Sequence, residues 1–209
     1  MTPIRTTCLS CLATLFLVGT LTAQTPLFQE STMGDLSDVA TSPTALMFGV
    51  GTNQIVGELR SNPDDPNLDV RDYLTFTIGA GQTLTSIIQQ DYSDIASGGA
   101  ANRGFHAINL GATSSIPAGG TIGGFIGADH FDTVAVGTDL LPSLGGGTLG
   151  ASGFSGTLGP GTYTYLVQNT SANPSSYTLD FNVTGVPEPG SVMLLSALAG
   201  LTVVRRRRR

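Results

Sequence analysis

The middle of the chain alternates between apolar and polar residues with a period of two. The alternation is clearest over residues 73–78, 163–167 and 177–184. Successive side chains of a β-strand point to opposite faces of a sheet, so each segment predicts a strand with one face on a core and the other in water. Phe181 is a bulky residue near the centre of the last segment, and we expect it inside the core.

Short apolar runs separated by Gly, Pro, Asn and Asp occupy much of the remaining middle. They predict further strands, at Ala45–Val50, Gln54–Leu59, Leu84–Gln90, Gly104–Leu110, Gly123–Gly127 and Ser152–Leu158. Residues 161–169 and 176–184 are joined by a connection containing Asn173-Pro174, which predicts a C-terminal hairpin. About nine or ten strands with little helix indicate an all-β fold, a β-sandwich of jelly-roll type.

The N-terminal end has the pattern of a secretory signal peptide. Arg5 precedes an apolar run over residues 12–21, and small residues follow, so we expect cleavage after Ala23. The run is too short for a membrane span. Both cysteines, Cys8 and Cys11, fall in this segment. The remainder has no thiol, which excludes disulfides, thiolate catalysis and Cys-ligated zinc.

The C-terminal end combines three features in order. Pro187-Glu188-Pro189 is followed by 14 uncharged residues, Ser191 to Val204, and then by a basic cluster of Arg205, Arg206, Arg207, Arg208 and Arg209. A bilayer core needs a helix of about 20 residues, so this apolar helix would insert with local thinning of the bilayer. The arginines would stay cytoplasmic and act as the stop and anchor.

This order resembles the PEP-CTERM sorting signal of exported proteins from Gram-negative bacteria that make exopolysaccharide. The resemblance implies that an exosortase, a membrane transpeptidase, recognises Pro187-Glu188-Pro189, cleaves the chain and transfers the body. The implied partners are the exosortase and the inner membrane, transiently, and exopolysaccharide. The implied destination is the cell surface or the extracellular matrix. The same tail is sometimes labelled after ice-binding proteins, but a tail carries no activity of the body.

The body also resembles a known family. Residues 53–59, 72–78, 80–84 and 159–165 are similar to the bacterial pre-peptidase C-terminal domain, a β-sandwich accessory module of secreted enzymes. The resemblance implies a substrate-adhering or stabilising role, although the glycine-rich insertion at 98–150 departs from the family. Four parts are therefore expected: a signal peptide at 1–23, a flexible leader with one weak helical turn at 24–44, a β-sandwich body at 45–185 and the sorting signal at 186–209.

The charge of the body limits its partners. The sequence contains no lysine, and three arginines stand against fourteen acids between Glu30 and Asp180. A body this acidic cannot neutralise phosphate backbones, so nucleic-acid binding is excluded.

Catalytic motifs are sparse. His106 lies between apolar neighbours, where a structural histidine is expected, and Asp129-His130-Phe131-Asp132 is better explained as an exposed turn than as a zinc site. Ser155 lacks the last glycine of a nucleophile elbow. Only Glu30 and Glu58 are available in the body for glycoside cleavage. We therefore expect no enzyme.

Clustered acids indicate one ion site. Asp64, Asp65, Asp69 and Asp72 lie close together among Asn and Pro residues, and calcium takes six to eight oxygen ligands. The spacing does not match an EF-hand. The alternative is a solvated acidic loop in which Arg71 neutralises one neighbour.

These observations predict a non-catalytic exported surface or matrix protein. A carbohydrate- or matrix-binding module, calcium-dependent or not, is the alternative. Sugar platforms usually need exposed aromatic rings, and the chain has no Trp and five Tyr, of which Tyr92 is the candidate. Three Thr-x-Thr triplets allow an ice-binding hypothesis, but outward threonines are ordinary in strands.

Overall fold

The computed structural model describes residues 24–60, 70–94, 104–114, 122–170 and 173–185. The predicted signal peptide and the sorting signal lie outside these residues, as do Asp64, Asp65 and Asp69 of the predicted ion site.

Nine strands are present in the described part of the chain: β1 Phe28–Gln29, β2 Thr44–Ala45, β3 Gly51–Leu59, β4 Arg71–Ile78, β5 Gln82–Asp94, β6 Gly104–Leu110, β7 Gly127–Phe131, β8 Gly161–Asn169 and β9 Ser175–Gly185. Two short α-helices, α1 Glu30–Met33 and α2 Leu141–Gly145, and three 3-10 turns, Ile122–Gly124, Thr133–Ala135 and Thr148–Gly150, complete these elements.

The strands form two sheets. The four-stranded sheet has the order β1-β3-β9-β5, and the five-stranded sheet has the order β2-β4-β8-β6-β7. Apolar side chains from the facing sides of both sheets are buried in one core, to which Phe76, Tyr165 and Phe181 contribute tilted and edge-to-face ring contacts. The expectation of an all-β sandwich is confirmed at this level.

The predicted C-terminal hairpin is wrong. β8 pairs with β4 and β6 in one sheet, whereas β9 pairs with β3 and β5 in the other. The connection between them crosses from one sheet to the other. Within it, the backbone carbonyl of Asn173 accepts a hydrogen bond from the side-chain amide of Asn169. The two strands therefore face each other across the core, where the Tyr165 and Phe181 ring centroids are 5.1 Å apart.

The individual strand predictions have mixed outcomes. β6 and β8 have the predicted bounds, and β3, β5 and β9 extend the predicted ones. The predicted strand at 45–50 contributes only Ala45, residues 122–124 form a 3-10 turn, and residues 151–158 form a loop with a single bridge from Leu158 to Leu84. Glycines explain the last difference, because Gly153 and Gly156 have positive φ and interrupt a ladder.

β4 is more deeply buried than its alternation predicts. Tyr73 was expected on a water-facing side, yet it is buried. It belongs to a second apolar cluster on the outer side of the five-stranded sheet, together with Phe105, Phe125 and Leu166. Segments that do not belong to the sheet cover its outer face. The alternation of apolar and polar residues along β4 therefore does not by itself predict that this face is buried.

The segment 24–44 packs against the sandwich, in contrast to the expected flexible leader. β1 pairs in parallel with β3, β2 pairs in parallel with β4, and Phe28 and Leu36 are buried in the core. The expected single helical turn is α1. The segment thus occupies one edge of each sheet, where unpaired strand edges would otherwise be exposed.

The two ends of the sandwich differ in charge. We call the end where β9 stops the exit end; it comprises residues 46–53, 77–83, 110–114, 158–162 and 182–185. The register places these residues together, because Gly51 lies opposite Val183, Gln82 opposite Gly185 and Ile78 opposite Gly161. None of them is charged. The other end, which we call the acidic end, includes Glu30, Asp35, Glu58, Asp72, Asp129 and Asp132.

Candidate functional site

Asp72 is a buried acid at the start of β4. Its Oδ2 accepts a hydrogen bond of 2.6 Å from the Tyr177 hydroxyl, which reaches across the core from β9. Gly57 makes this possible, since a Cβ atom at position 57 would overlap the Tyr177 ring. A carboxylate is costly to bury without such partners, so Gly57 and Tyr177 together support Asp72 in the interior.

Two further acids lie beside Asp72. Ligand oxygens of Glu30, Asp35 and Asp72 lie within 4.8 Å of one another. Glu30 is held in place because its carboxylate accepts hydrogen bonds from the Leu36 amide at 2.8 Å and the Glu58 amide at 2.5 Å. Burial raises the pKa of Glu30, the two backbone hydrogen bonds oppose this, and the charge of Asp35 raises it further. We call these three residues the carboxylate cluster.

The carboxylate cluster shares only Asp72 with the predicted ion site. Asp72 is the member of that prediction that the structure describes, and the other three aspartates lie outside the described residues. Sequence reasoning missed Glu30 and Asp35, which are far from Asp72 along the chain; the parallel pairing of β1 with β3 brings Glu30 close. Three carboxyl groups at this spacing supply the hard oxygen donors that calcium takes.

The Asp129-His130-Asp132 sequence is not gathered around a common point in the described structure. His130 is exposed on the edge strand β7, and its amide donates to Asp129 Oδ1 at 2.8 Å. Asp132 Oδ1 accepts from the Val134 amide at 2.8 Å and caps the following 3-10 turn. Both acids make local backbone contacts. The expected exposed turn is wrong for Asp129 and His130, which lie in β7, and the turn begins only at Asp132.

His106 is a fully buried histidine in β6. Its Nδ1 lies 2.7 Å from the Tyr165 hydroxyl, and its ring meets Phe131 edge-to-face. Burial lowers the pKa of His106 to about 4, and the charge of Asp129 opposes the shift only partly. The imidazole is therefore neutral near pH 7, which agrees with the expected structural histidine.

The outer side of the four-stranded sheet carries a ladder of polar side chains. Asp180 accepts hydrogen bonds from the amides of Gln54 at 2.9 Å and Gln90 at 2.7 Å. Two residues further along β9, Asn182 accepts a hydrogen bond from the Thr52 hydroxyl at 2.7 Å and donates one to the Ser86 hydroxyl at 2.9 Å. We call the surface formed by Thr52, Gln54, Ser86, Gln90, Asp180 and Asn182 the polar face.

A cavity of about 380 Å³ lies between α2 and the loop at 151–158. Asp139 on its wall accepts the Ile87 amide at 2.9 Å and the Leu141 amide at 3.0 Å through Oδ1. Ser155 also lines it, in a loop without a following helix, and neither histidine is among the lining residues. A serine nucleophile requires an adjacent base, and Ser155 has no imidazole beside it among the residues that line this cavity.

The tyrosines do not form a sugar platform. Tyr73, Tyr92, Tyr163, Tyr165 and Tyr177 are all buried. Tyr92, the candidate for stacking on a sugar, is 3% exposed and packs edge-to-face on Phe131. Threonines are similarly engaged: Thr164 is buried and Thr77 shares a hydrogen bond of 3.0 Å with Thr162.

Comparison with known proteins concerns the C-terminal end. The PEP-CTERM protein-sorting motif matches residues 185–209, directly after β9. No curated protein and no solved structure matches the chain, so the resemblance of the body to the pre-peptidase C-terminal domain is not confirmed. In the described ranges, no helix has the length and apolar character to cross a bilayer, and the predicted helix at 191–204 lies outside them. The motif implies that the chain is exported, passes through a membrane-associated step and is processed by an exosortase.

Proposed function

We propose that this is a non-catalytic protein of the cell surface or the extracellular matrix, delivered there by cleavage at Pro187-Glu188-Pro189. The observation that carries the proposal is the sorting motif at residues 185–209. The last strand of the described residues ends at Gly185, and the tripeptide begins two positions further along the chain. Two prolines cannot continue a β-ladder, which favours an extended segment that a transpeptidase can bind.

The properties of the body support a role without catalysis. The neutral His106 is used for packing, His130 and its neighbouring acids make local contacts, and Ser155 lacks a base. A hydrolase screen of the purified protein, followed by His130→Ala if activity is found, tests this point. Activity abolished by that substitution would overturn it.

The processing step is tested in a host that contains the exosortase. Replacing Pro187, Glu188 and Pro189 by Ala should leave an unprocessed precursor in the membrane fraction, whereas the parent chain is released. The flanking changes Val186→Ala and Gly190→Ala serve as controls and should leave release intact. The intact mass of each product locates the cleavage. Release of the triple-alanine chain at the normal rate would contradict sorting through this motif.

The polar face supports a second candidate function, carbohydrate or matrix binding. Its amides and hydroxyls present donors and acceptors in a row across three strands, a combination that suits a hydroxyl-rich ligand, and the buried Asp180 carboxylate fixes two of the amides. These side chains are held by one another, so little side-chain freedom would be lost on binding. Exopolysaccharide is the ligand class we propose for this surface.

A measurement of binding to exopolysaccharide distinguishes this second function from the first. Asn182→Ala removes the centre of one rung of the polar face, and it should weaken retention of the protein on immobilised exopolysaccharide. Asn109→Ala is a matched control, because Asn109 is an equally half-buried asparagine on the other sheet. Equal retention of both variants would argue against the polar face as a binding surface.

We also infer that the sandwich is of the jelly-roll type. β3 to β6 alternate between the two sheets, and β8 and β9 do the same. The edge of β5 is bridged by Asp139 and Leu158 at the place where a jelly roll has a further strand. The segment 138–158 thus takes the position of that strand in irregular form.

A further inference from the structure

Three large apolar side chains are exposed at the exit end. Met47 is 90% exposed, Val50 is 63% exposed and Leu110 is 59% exposed. Apolar residues of this size that lie at one end of a body, without a charge among their neighbours, are typical of a surface that meets another apolar phase. Val134, which is exposed at the opposite end, has Asp132 two residues before it in the chain.

Both chain ends of the described body leave from this same end. At the C-terminus, a Cβ atom at Gly185 would lie 3.1 Å from Val50 Cγ2, so the last residue of β9 lies next to the exposed valine. At the N-terminus, the Gln24 amide donates to the Thr52 carbonyl at 3.1 Å. The predicted signal peptide and the sorting tail therefore attach to the uncharged end and not to the acidic one.

The distance to the tail's apolar run is short. Five residues separate Gly185 from Ser191, where the uncharged run of the sorting signal begins. A fully extended connection of this length spans about 20 Å. A body tethered this closely cannot turn its far end toward the lipid, and the clustered acids at that end would be repelled by anionic headgroups.

We propose that the exit end is a membrane-facing surface, and that Met47 and Val50 contact the lipid interface while the tail is held in the bilayer. The proposal rests on the proposed function, because it needs the uncleaved tail in the membrane. The occupant is the lipid interface itself, which accommodates uncharged apolar side chains at the level of the headgroups. This contact presents the segment before Pro187 at the membrane surface and turns the acidic end outward.

A single introduced tryptophan tests the contact, because the chain contains none of its own. Met47→Trp and the control Val134→Trp place the fluorophore at exposed positions of the two opposite ends. The tail-bearing form is exported and purified from a Gram-negative host without an exosortase, and its intact mass verifies removal of the signal peptide. It is then reconstituted in vesicles of phosphatidylethanolamine and phosphatidylglycerol with or without brominated acyl chains.

Brominated lipid should reduce the emission of the Met47→Trp chain about twofold and leave the Val134→Trp chain nearly unchanged, because only the first probe reaches the lipid interface. Adding Val50→Asp to the Met47→Trp chain should reverse the quenching while the protein still floats with the vesicles. Melting curves of all variants verify that the sandwich is intact.

Three outcomes would overturn the proposal, and they are distinguishable. If the chain fails to float with vesicles, the tail is not held in a membrane, and the proposed function fails with it. If it floats but both probes are quenched equally or not at all, only the orientation of the body is wrong. If Met47→Trp is shielded from acrylamide without being quenched by brominated lipid, a protein surface, such as a second copy of the chain, covers the exit end instead.

Discussion

The exit end and the acidic end of the sandwich are stabilised by different kinds of interaction. Near the exit end, the rings of Phe48 and Phe76 stack with centroids 4.3 Å apart, and Phe181 packs against both. Toward the acidic end, the interior contains the Asp72–Tyr177 hydrogen bond and the neutral His106. Apolar packing is nearly independent of pH and of ions, whereas buried ionisable groups are sensitive to both.

The difference suggests that the stability of the half near the exit end does not depend on pH or ions, and we call it the rigid half. The half near the acidic end should respond to both, and we call it the responsive half. Three measurements test whether the two halves differ in their response to pH and to ions.

Phe181→Ala tests the rigid half. Phe181 is fully buried and contacts three other aromatic rings, so its removal leaves a large void. The free energy of unfolding in urea should fall by about 3–5 kcal/mol at any pH between 5 and 8. Thr178→Ala, on the outer side of the same strand, should cost well under about 1 kcal/mol. Similar small losses for both would mean that β9 does not belong to the core.

His106 tests the pH response of the other half. Its pKa is lowered to about 4 in the folded protein, from 6.5 in the unfolded chain, so the unfolded chain binds the proton more tightly. Stability is therefore fully present above pH 6.5 and is lost as the pH falls toward 4, by about 2 kcal/mol between pH 7 and pH 5. The raised pKa of Glu30 acts in the opposite direction at pH values above its ordinary value of 4.5, so the contribution of His106 is measured as the difference between the parent chain and a variant without this imidazole.

The matched variants identify the source of this response. His106→Gln retains a hydrogen-bonding group beside Tyr165 and should flatten the pH dependence of unfolding between pH 5 and 7. His130→Gln, at an exposed position, should leave the slope unchanged. A slope that persists in His106→Gln would assign the response to another group.

Calcium removal tests the carboxylate cluster, with the smallest expected effect. If an ion is shared by the predicted loop and the cluster, calcium at about ten times its dissociation constant should stabilise the fold by about 1.4 kcal/mol relative to chelator. Glu30→Gln should abolish the shift, and Glu58→Gln, a change of the only other glutamate in the body, should retain it. Identical melting curves with calcium and with chelator would remove the site.

The sequence was a good guide to which residues are buried and a poor guide to which strands are neighbours. Leu74, Phe76, Leu179 and Phe181 lie in the core as period two predicts. The pairing of β8 with β9 failed because alternation defines the faces of a strand but does not identify its partner, and a short connection can cross between sheets as well as turn within one.

The candidate site was even less accessible to sequence reasoning. The Asp-rich loop pointed to Asp72, but Glu30 joins it only because two residues of β1 add to the edge of β3. A two-residue strand has no periodicity to detect. The sorting tail, by contrast, was recognisable because its three parts follow one another along the chain and depend on no tertiary contact.

The position of β9 has a consequence for the timing of export. Among the strands of the described residues β9 is synthesised last, yet it lies in the middle of its sheet, between β3 and β5. A chain that crosses a membrane with its N-terminus first would therefore have β3 and β5 outside without the strand that joins them. Folding of the four-stranded sheet would be completed only when Gly185 emerges, at the moment when the sorting motif reaches the membrane. Until then the four-stranded sheet would remain incomplete, and its completion would coincide with arrival of the cleavage signal.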